Sequence, residues 1–412
     1  MTWFVPYEWL DVEQKRAVQL DMQRHRVIFG PPGSGKTIVL LHRAEYLYRS
    51  ARVPPNGFRI FVYTRVLKAY LKDAVEFLGL PKECISTFDQ WCVAYHRQNV
   101  SMTLPDEENS AAPDFAAVRV NVLDHLRKNG YSSQFRFVVV DEAQDLDHVA
   151  FEILKRISRH VTVCADDKQQ LYDSSSSQAA ILKELGLHQQ NLTLLGAYRC
   201  VPFVAELAAE LIENPDEKEQ FLGAVQAESA EKETPVLYKA QGFEEEKRQV
   251  VEILRDRVSM GKPIALIFPS KNLLNDFVNY IEQAGIQIEI AGKTASGMQL
   301  PTDFSNSVPK AMLYWSAKGL TFHTVILPRL VEHAFARRVS ETRLKRLLFV
   351  GITRATNWVY LTTEEGKELP LLRTFSLLEQ RGSLKIQRRR TTVLHDAPRH
   401  QIMPTDDLTS IL

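Results

Sequence analysis

Apolar residues in this chain gather in short, nearly unbroken runs rather than in simple alternation. RVIF (26–29), RIFVYT (59–64), FRFVVVD (135–141), VTVCAD (161–166), PIALIF (263–268) and TVILP (324–328) each read as a strand buried on both faces. Most are followed by a stretch of helical periodicity, such as KTIVLLHRAEYLYR after the first run and SKNLLNDFVNYIEQAG after PIALIF. Buried strands alternating with amphipathic helices predict parallel sheets covered by helices, so the expected fold class is α/β.

The polar stretches mark seams. SMTLPDEENSAAPD (101–114) is acidic and contains proline, and a short helical pattern runs from Phe115 to Lys128. The region from Asn214 to Thr234 is charged and poor in aliphatics, and AGKTASGMQLPTDFSNSVP (291–309) reads as a long loop. Four serines, Ser174–Ser177, fall in a loop. From residue 386, with Arg388, Arg389 and Arg390, the chain is expected to form a polar, basic tail or docking segment.

At roughly 150 residues per domain, 412 residues imply two or three globular units. Lys+Arg 51 against Asp+Glu 50 leaves a formal charge of +1, so any polyanion site must be a local patch. Cys84, Cys92, Cys164 and Cys200 show no paired spacing, which argues against a zinc site or a disulfide scaffold and suits a reducing compartment. The start lacks a basic segment followed by an apolar stretch, and no run approaches the roughly 20 apolar residues of a membrane span. The expectation is a soluble, cytoplasmic protein with no membrane partner.

Gly30-Pro-Pro-Gly33-Ser34-Gly35-Lys36-Thr37 fits the phosphate-loop pattern and stands between an apolar strand and a helix. Glycines let the backbone curl so that its N–H groups face phosphate oxygens, reinforced by the positive end of the following helix. Lys36 would reach the β- and γ-phosphates, and the Thr37 hydroxyl would ligate Mg²⁺. FVVVDEAQD (137–145) supplies a buried strand ending in two carboxylates. Asp141 is then the metal ligand and Glu142 the group that polarises the attacking water. A kinase is disfavoured, because nothing resembles its catalytic-loop or metal-binding motifs.

Beyond these two segments, a series of motifs resembles the UvrD/Rep family of superfamily 1 helicases, in family order from residue 10 to residue 355. LDVEQKRAV (10–18) resembles the adenine-reading motif, with Gln14 as reader. YTRVLKAYLKD (63–73) and STFDQWC (86–92) resemble the first nucleic-acid motifs, with Asp89 where histidine is usual. ADDKQQLY (165–172) resembles the motif whose glutamine senses the γ-phosphate, here Gln169. LLGAYRC (194–200), WSAKGLTFHTVIL (315–327) and LLFVGITRA (347–355) resemble motifs IV, V and VI. The resemblance implies two tandem RecA-like domains, 1–192 and 193–385, closing on ATP and Mg²⁺. It implies Arg199 and Arg354 as arginines acting from the second domain, Tyr198 stacking on the base, and Gly319 in the nucleotide set. It also implies single-stranded DNA or RNA on Tyr63, Thr64, Thr87, Phe88, Tyr172 and Trp315, with 3′→5′ movement.

The chain departs from the pattern in three ways. Only a few dozen residues separate STFDQWC from FRFVVVD, so the first large insert of the family, around 100–135, is vestigial, and the second is missing. Ser174 and Ser175 stand where tryptophan and arginine are usual, while Trp315 replaces a histidine and offers an aromatic face. Thr321 and His323 replace a glutamate and an aspartate in motif V, which implies relaxed base or sugar selectivity. Two functions remain in view: a DNA-stimulated ATPase acting as helicase or translocase, and a nucleotide-gated, nucleic-acid-sensing subunit. The second would license a separate nuclease or effector, similar to helicase-like components of bacterial anti-phage systems.

Overall fold

The computed structural model describes residues 4–31, 33–106, 113–129, 133–166, 177–188, 192–194, 201–223, 225, 233–292, 302–335 and 339–388. The expected site residues Gln169, Tyr172, Tyr198 and Arg199 lie outside them, as does Cys200.

In the first part, α1 (Val12–Val18), β1 (Arg26–Phe29) and α2 (Lys36–Ser50) are followed by β2 (Phe58–Val62), α3 (Arg65–Phe77) and β3 (Ile85–Thr87). Then come α4 (Phe88–Asn99), α5 (Phe115–Lys128), β4 (Phe137–Val140), α6 (His148–Ile157), β5 (Val161–Ala165), α7 (Gln178–Glu184) and β6 (Leu192–Leu194). These strands form one sheet in the order β3-β2-β4-β5-β1-β6. All its strand pairs are parallel. Every residue of β4 and β5 is buried, as continuous apolar runs require when helices cover both faces.

The second part contains α8 (Pro202–Ala209), α9 (Pro215–Gly223), β7 (Val236–Ala240), α10 (Phe243–Val258), β8 (Ile264–Phe268), α11 (Lys271–Gln283) and β9 (Glu289–Ile290). It continues with β10 (Lys310–Leu313), β11 (Phe322–Leu327), α12 (Glu341–Ile352), β12 (Ala355–Glu364), α13 (Ser376–Gln380) and β13 (Lys385–Arg388). Its sheet runs β13-β7-β12-β11-β8-β10-β9 and is again parallel in every strand pair.

Two expectations shift at the boundaries. β6 completes the first sheet by pairing Val27–Phe29 with Leu192–Leu194, so that sheet continues past residue 192. β13 pairs with β7 across Lys385–Arg388, so the sequence expected to open the tail begins as an edge strand. It was hidden because KIQR carries no apolar alternation, and one side of an edge strand faces water. The helix expected at Phe115–Lys128 spans that range as α5. It packs on α4 and α6 through Val118, Val122, Leu123 and Leu126. Arg119 of α5 stands 3.6 Å from Asp89 and 3.6 Å from Asp147, which gives the aspartate in STFDQWC a partner. No helix among the described residues is long and apolar enough to cross a membrane.

One buried arginine fixes the start of the chain onto the first sheet. Arg43 of α2 is fully buried and donates to the carbonyls of Val18 (3.0 Å) and Leu20 (2.7 Å) and to the hydroxyl of Thr162 on β5 (2.8 Å). The last turn of α1 is thereby tied to α2 and β5, and Gln14 rides on α1. Burial lowers the pKa of this guanidinium to about 10, so it stays charged at neutral pH.

A candidate nucleotide site between the two sheets

Candidate residues of the first lobe come from the carboxyl ends of its strands, where open parallel sheets place their ligand crevices. Strand order sets their sequence along the edge. Thr87 ends β3 and Phe88 follows it, Tyr63 and Thr64 follow β2, Asp141 and Glu142 follow β4, Asp166 follows β5, and the glycine-rich segment that begins at Gly30 follows β1.

Gly33 and Gly35 have φ of 86° and 77°, a region that favours glycine. A Cβ on Gly35 would also stand 2.8 Å from Nε2 of Gln14. The Lys36 ammonium donates to the carbonyls of Gly30 (2.7 Å) and Pro31 (3.0 Å) and reaches Asp166 Oδ2 at 3.3 Å. Ser34 Oγ is buried with no hydrogen-bond partner among the described residues, an orphan donor that a phosphate oxygen would satisfy.

The Thr37 hydroxyl donates to Asp141 Oδ2 across 2.7 Å. Adjacent oxygen ligands on a cation with bonds of about 2.05 Å lie about 2.9 Å apart, so the pair fits Mg²⁺ with little movement. Burial, and then the Glu142 charge, raise the pKa of Asp141 well above the usual carboxylate range, a demand that a bound cation would meet. No group of three or more His, Cys, Asp or Glu suited to a metal occurs among the described residues. Mg²⁺ held partly by substrate phosphates and water needs none.

Glu142 sits in left-handed backbone (φ 54°), and its N–H donates to Asp141 Oδ1 at 3.0 Å. Gln144 Nε2 donates to Glu142 Oε2 at 2.6 Å, while Gln144 Oε1 accepts from the Asp166 N–H at 3.0 Å. Burial works against the Glu142 charge, but Lys318, Lys36 and Arg354 together outweigh it and hold its pKa below the ordinary value. The charged form of this carboxylate is therefore maintained in a buried site.

The second lobe contributes from the amino ends of its strands and the loop between β10 and β11. Arg354, immediately before β12, is 2% exposed and donates to the carbonyls of Val350 (3.0 Å) and Leu320 (3.3 Å). Its charge is among those that lower the Glu142 pKa. Lys318 is fully buried, hydrogen-bonds Asp145 Oδ2 and stands 3.6 Å from Glu142 Oε2. A cavity of about 750 Å³ opens beside the phosphate loop, lined by Asp11, Gln14, Gly33 and Gly35 from one lobe and by Lys262, Thr321, His323 and Thr356 from the other.

Gln14 closes a capping box with Asp11 and also donates to Ser34 O at 3.2 Å. One hydrogen and one lone pair of its amide remain, the pair needed to read an adenine edge. Gly319 (φ 79°) is not among the cavity-lining residues, and Leu67 of α3 fills the place of its missing Cβ (2.9 Å). It allows close approach of the lobes at this point. Among the nucleic-acid candidates, Tyr63 is half-buried and Trp315 is 43% exposed. The Thr64 and Thr87 hydroxyls cap α3 and α4. Phe88 is 5% exposed and packed edge-on to Phe61.

Sequence reasoning missed Lys318, Asp145, Asp166 and Arg43. The first three lie inside the motif segments already quoted, but their pairing joins residues far apart in the chain. Arg43 had no signal beyond being one of several charged residues on α2, beside His42 and Glu45.

No curated protein matches the chain. Among solved structures, the C-terminal domain of a possible DNA helicase from Lactobacillus plantarum WCFS1 is similar over 46% of this chain and 99% of its own, at 18% identity and a TM-score of 0.35. The family profile described as an AAA domain matches residues 14–175, the part of the chain that holds the phosphate-loop motif and the Asp141–Glu142 strand, within a fold of two RecA-like parallel-sheet lobes.

Proposed function

We propose that the chain is a Mg-ATP hydrolase of the UvrD/Rep kind whose turnover is coupled to single-stranded nucleic acid, DNA in the first place, with 3′→5′ translocation. The observation that carries this reading is the cross-lobe constellation: Lys36, Thr37, Asp141 and Glu142 face Lys318 and Arg354 over one cleft. Thr37 and Asp141 would hold Mg²⁺, which supplies charge neutralisation on the phosphate oxygens. Lys36 leaves the Gly30 and Pro31 carbonyls for the phosphates. Glu142, oriented by Gln144, takes the proton of the attacking water. Arg354 stabilises charge growing on the equatorial oxygens. Gln169 and Arg199 are assigned by motif alone.

The test is ATP turnover by the purified chain with no nucleic acid, single-stranded DNA, duplex and 3′-tailed duplex. Single-stranded DNA is expected to raise kcat several-fold, with binding that weakens as salt rises. Lys36→Ala should abolish turnover, and wild-type-like turnover in that variant would rule out the site. The second reading, a nucleotide-gated subunit serving a nuclease or effector, is favoured by the small insert. Between α4 and β4, α5 is the one helix among the described residues, and it is packed onto α4 and α6. Turnover indifferent to every nucleic acid would select that reading.

A further inference from the structure

The first sheet ends on β3, and among the described residues no strand pairs with its other side. An edge of this kind offers backbone N–H and C=O groups to an extended segment. Beside it lies an open groove of about 530 Å³, lined by Arg59, Lys68, Lys82, Ser86, Gln90 and Trp91 among others. The groove shares no lining residue with the cavity between the lobes, and none of the described nucleic-acid candidates lines it.

Hydrogen-bond donors dominate this groove. Arg59 of β2 is half-buried, with its guanidinium 5.1 Å from the centre of the Phe135 ring and donating to the carbonyl of Phe58 at 3.1 Å. Burial lowers its pKa, as expected of a charge stripped of water with no carboxylate in contact to replace it. Lys68 of α3 is likewise half-buried, and neither cation has an ion-pair partner among the described residues. Lys82 is paired, with Glu76 at 3.1 Å. Ser86 Oγ is buried without a hydrogen-bond partner among the described residues. Gln90 accepts from the Thr87 N–H through Oε1 at 3.3 Å, which leaves its amide hydrogens for a ligand. An oxyanion satisfies such a set, and a planar guanidinium suits one with two parallel oxygens.

The carrier of that oxyanion follows from what else is present. Glu83 lines the same groove, and Glu76 holds Lys82. A nucleic-acid strand, charged at every residue, would meet both carboxylates as it passed. A protein segment needs only one or two carboxylates, set against Arg59 and Lys68. Trp91 is also committed to its own lobe, with Phe61, Phe88, Tyr95 and Phe135 at centroid distances of 6.1, 6.5, 5.2 and 6.4 Å. A peptide backbone, unlike a base, can use the free edge of β3.

We propose that the groove beside β3 docks an extended segment of a partner protein, with an aspartate or glutamate of that segment on Arg59 and Lys68. The site is independent of the hydrolase reading, since it uses neither the nucleotide residues nor the candidate strand face.

The experiment is fluorescence anisotropy on the full chain, with a labelled peptide of alternating valine and glutamate, its glutamine counterpart, and unlabelled oligothymidylate as competitor. The glutamate peptide should bind at least about tenfold tighter than the glutamine one, and the difference should shrink as salt rises. Arg59→Gln should weaken it about tenfold. Lys68→Gln should weaken it about threefold, and Glu83→Lys should tighten it about threefold, a gain that misfolding cannot imitate. ATP turnover of the three variants should stay within about twofold of wild type. Equal binding of the two peptides, or no saturable binding of the glutamate peptide, overturns the proposal. Oligothymidylate that displaces the peptide, and itself binds more weakly to Arg59→Gln, also overturns it and makes the groove a nucleic-acid track. A wild type without turnover strikes the hydrolase reading and leaves the peptide result standing. Should Arg59→Gln not fold, Lys68→Gln and Glu83→Lys decide by the same criteria.

Discussion

The two lobes present unlike edges to the same cleft. The first offers backbone: a glycine-rich loop, a helix start, and carboxylates held by N–H groups and by Gln144. The second offers two buried cations, Arg354 fixed by its own lobe's carbonyls and Lys318 fixed by the opposite lobe's carboxylates. In the proposed reading the contrast separates binding from turnover. Groups that would hold phosphate and metal belong to one body, and groups that would answer charge growing during reaction belong to the other. Hydrolysis would then depend on how the lobes meet, whereas nucleotide binding would need mainly the first.

The comparison breaks most sharply at its two best-placed cations. Arg354→Ala is expected to lower kcat by about 10³–10⁵ while a nucleotide analogue binds within a few-fold of wild type. Lys36→Ala should lose binding and turnover together, measured by equilibrium binding beside single-turnover hydrolysis. Equal loss of binding in both variants would erase the division between the lobes.

Next in size is the anchor of the first lobe. Arg43→Met leaves the Val18 and Leu20 carbonyls without their donor, and should cost about 3 kcal/mol in denaturant unfolding and raise KM for ATP by loosening Gln14. A variant as stable as wild type would show that α1 is held by packing alone.

A smaller effect belongs to His160, which shares the Arg43 cluster. Burial, then the Arg43 charge, lower its pKa to about 3, from 6.5 in the unfolded chain. The unfolded state therefore binds the proton first, so this contribution is complete above pH 6.5 and is lost as pH falls towards 3. Between pH 6.5 and pH 5 the wild type should lose about 2 kcal/mol more than His160→Gln. Parallel stability curves for the two would refute the assignment.

The smallest change tests the second lobe. A Cβ on Gly351 of α12 would stand 2.7 Å from the Tyr314 ring and 3.1 Å from Leu327. Gly351→Ala should therefore destabilise by about 1–2 kcal/mol, although alanine is the better helix former in isolation. Greater thermal stability would mean that Tyr314 yields.

How much was legible follows from the range of each interaction. The six apolar runs became strands because a strand buried on both faces must be apolar along its length. The phosphate loop was legible because its chemistry is local, with glycines at positive φ directly before a helix start. The short strands β3, β6 and β9 are two or three residues long and carry no period to detect. Phe88 and Trp315 could not be told apart as core and surface, since aromatic character says nothing about which face meets water. The partners of Lys318 were invisible for a further reason: a lysine between Ala317 and Gly319 reads as solvated until the opposite lobe is present.

The strand order has a consequence for distance. With β2, β4, β5 and β1 side by side, Tyr63 and the phosphate loop are three strand spacings apart, about 14 Å, and Asp141 and Glu142 lie between them. Fuel and track would then sit on a single rigid shelf, and neither hinge nor helix would need to carry news between them. A change at one end would arrive at the other within the reach of two side chains.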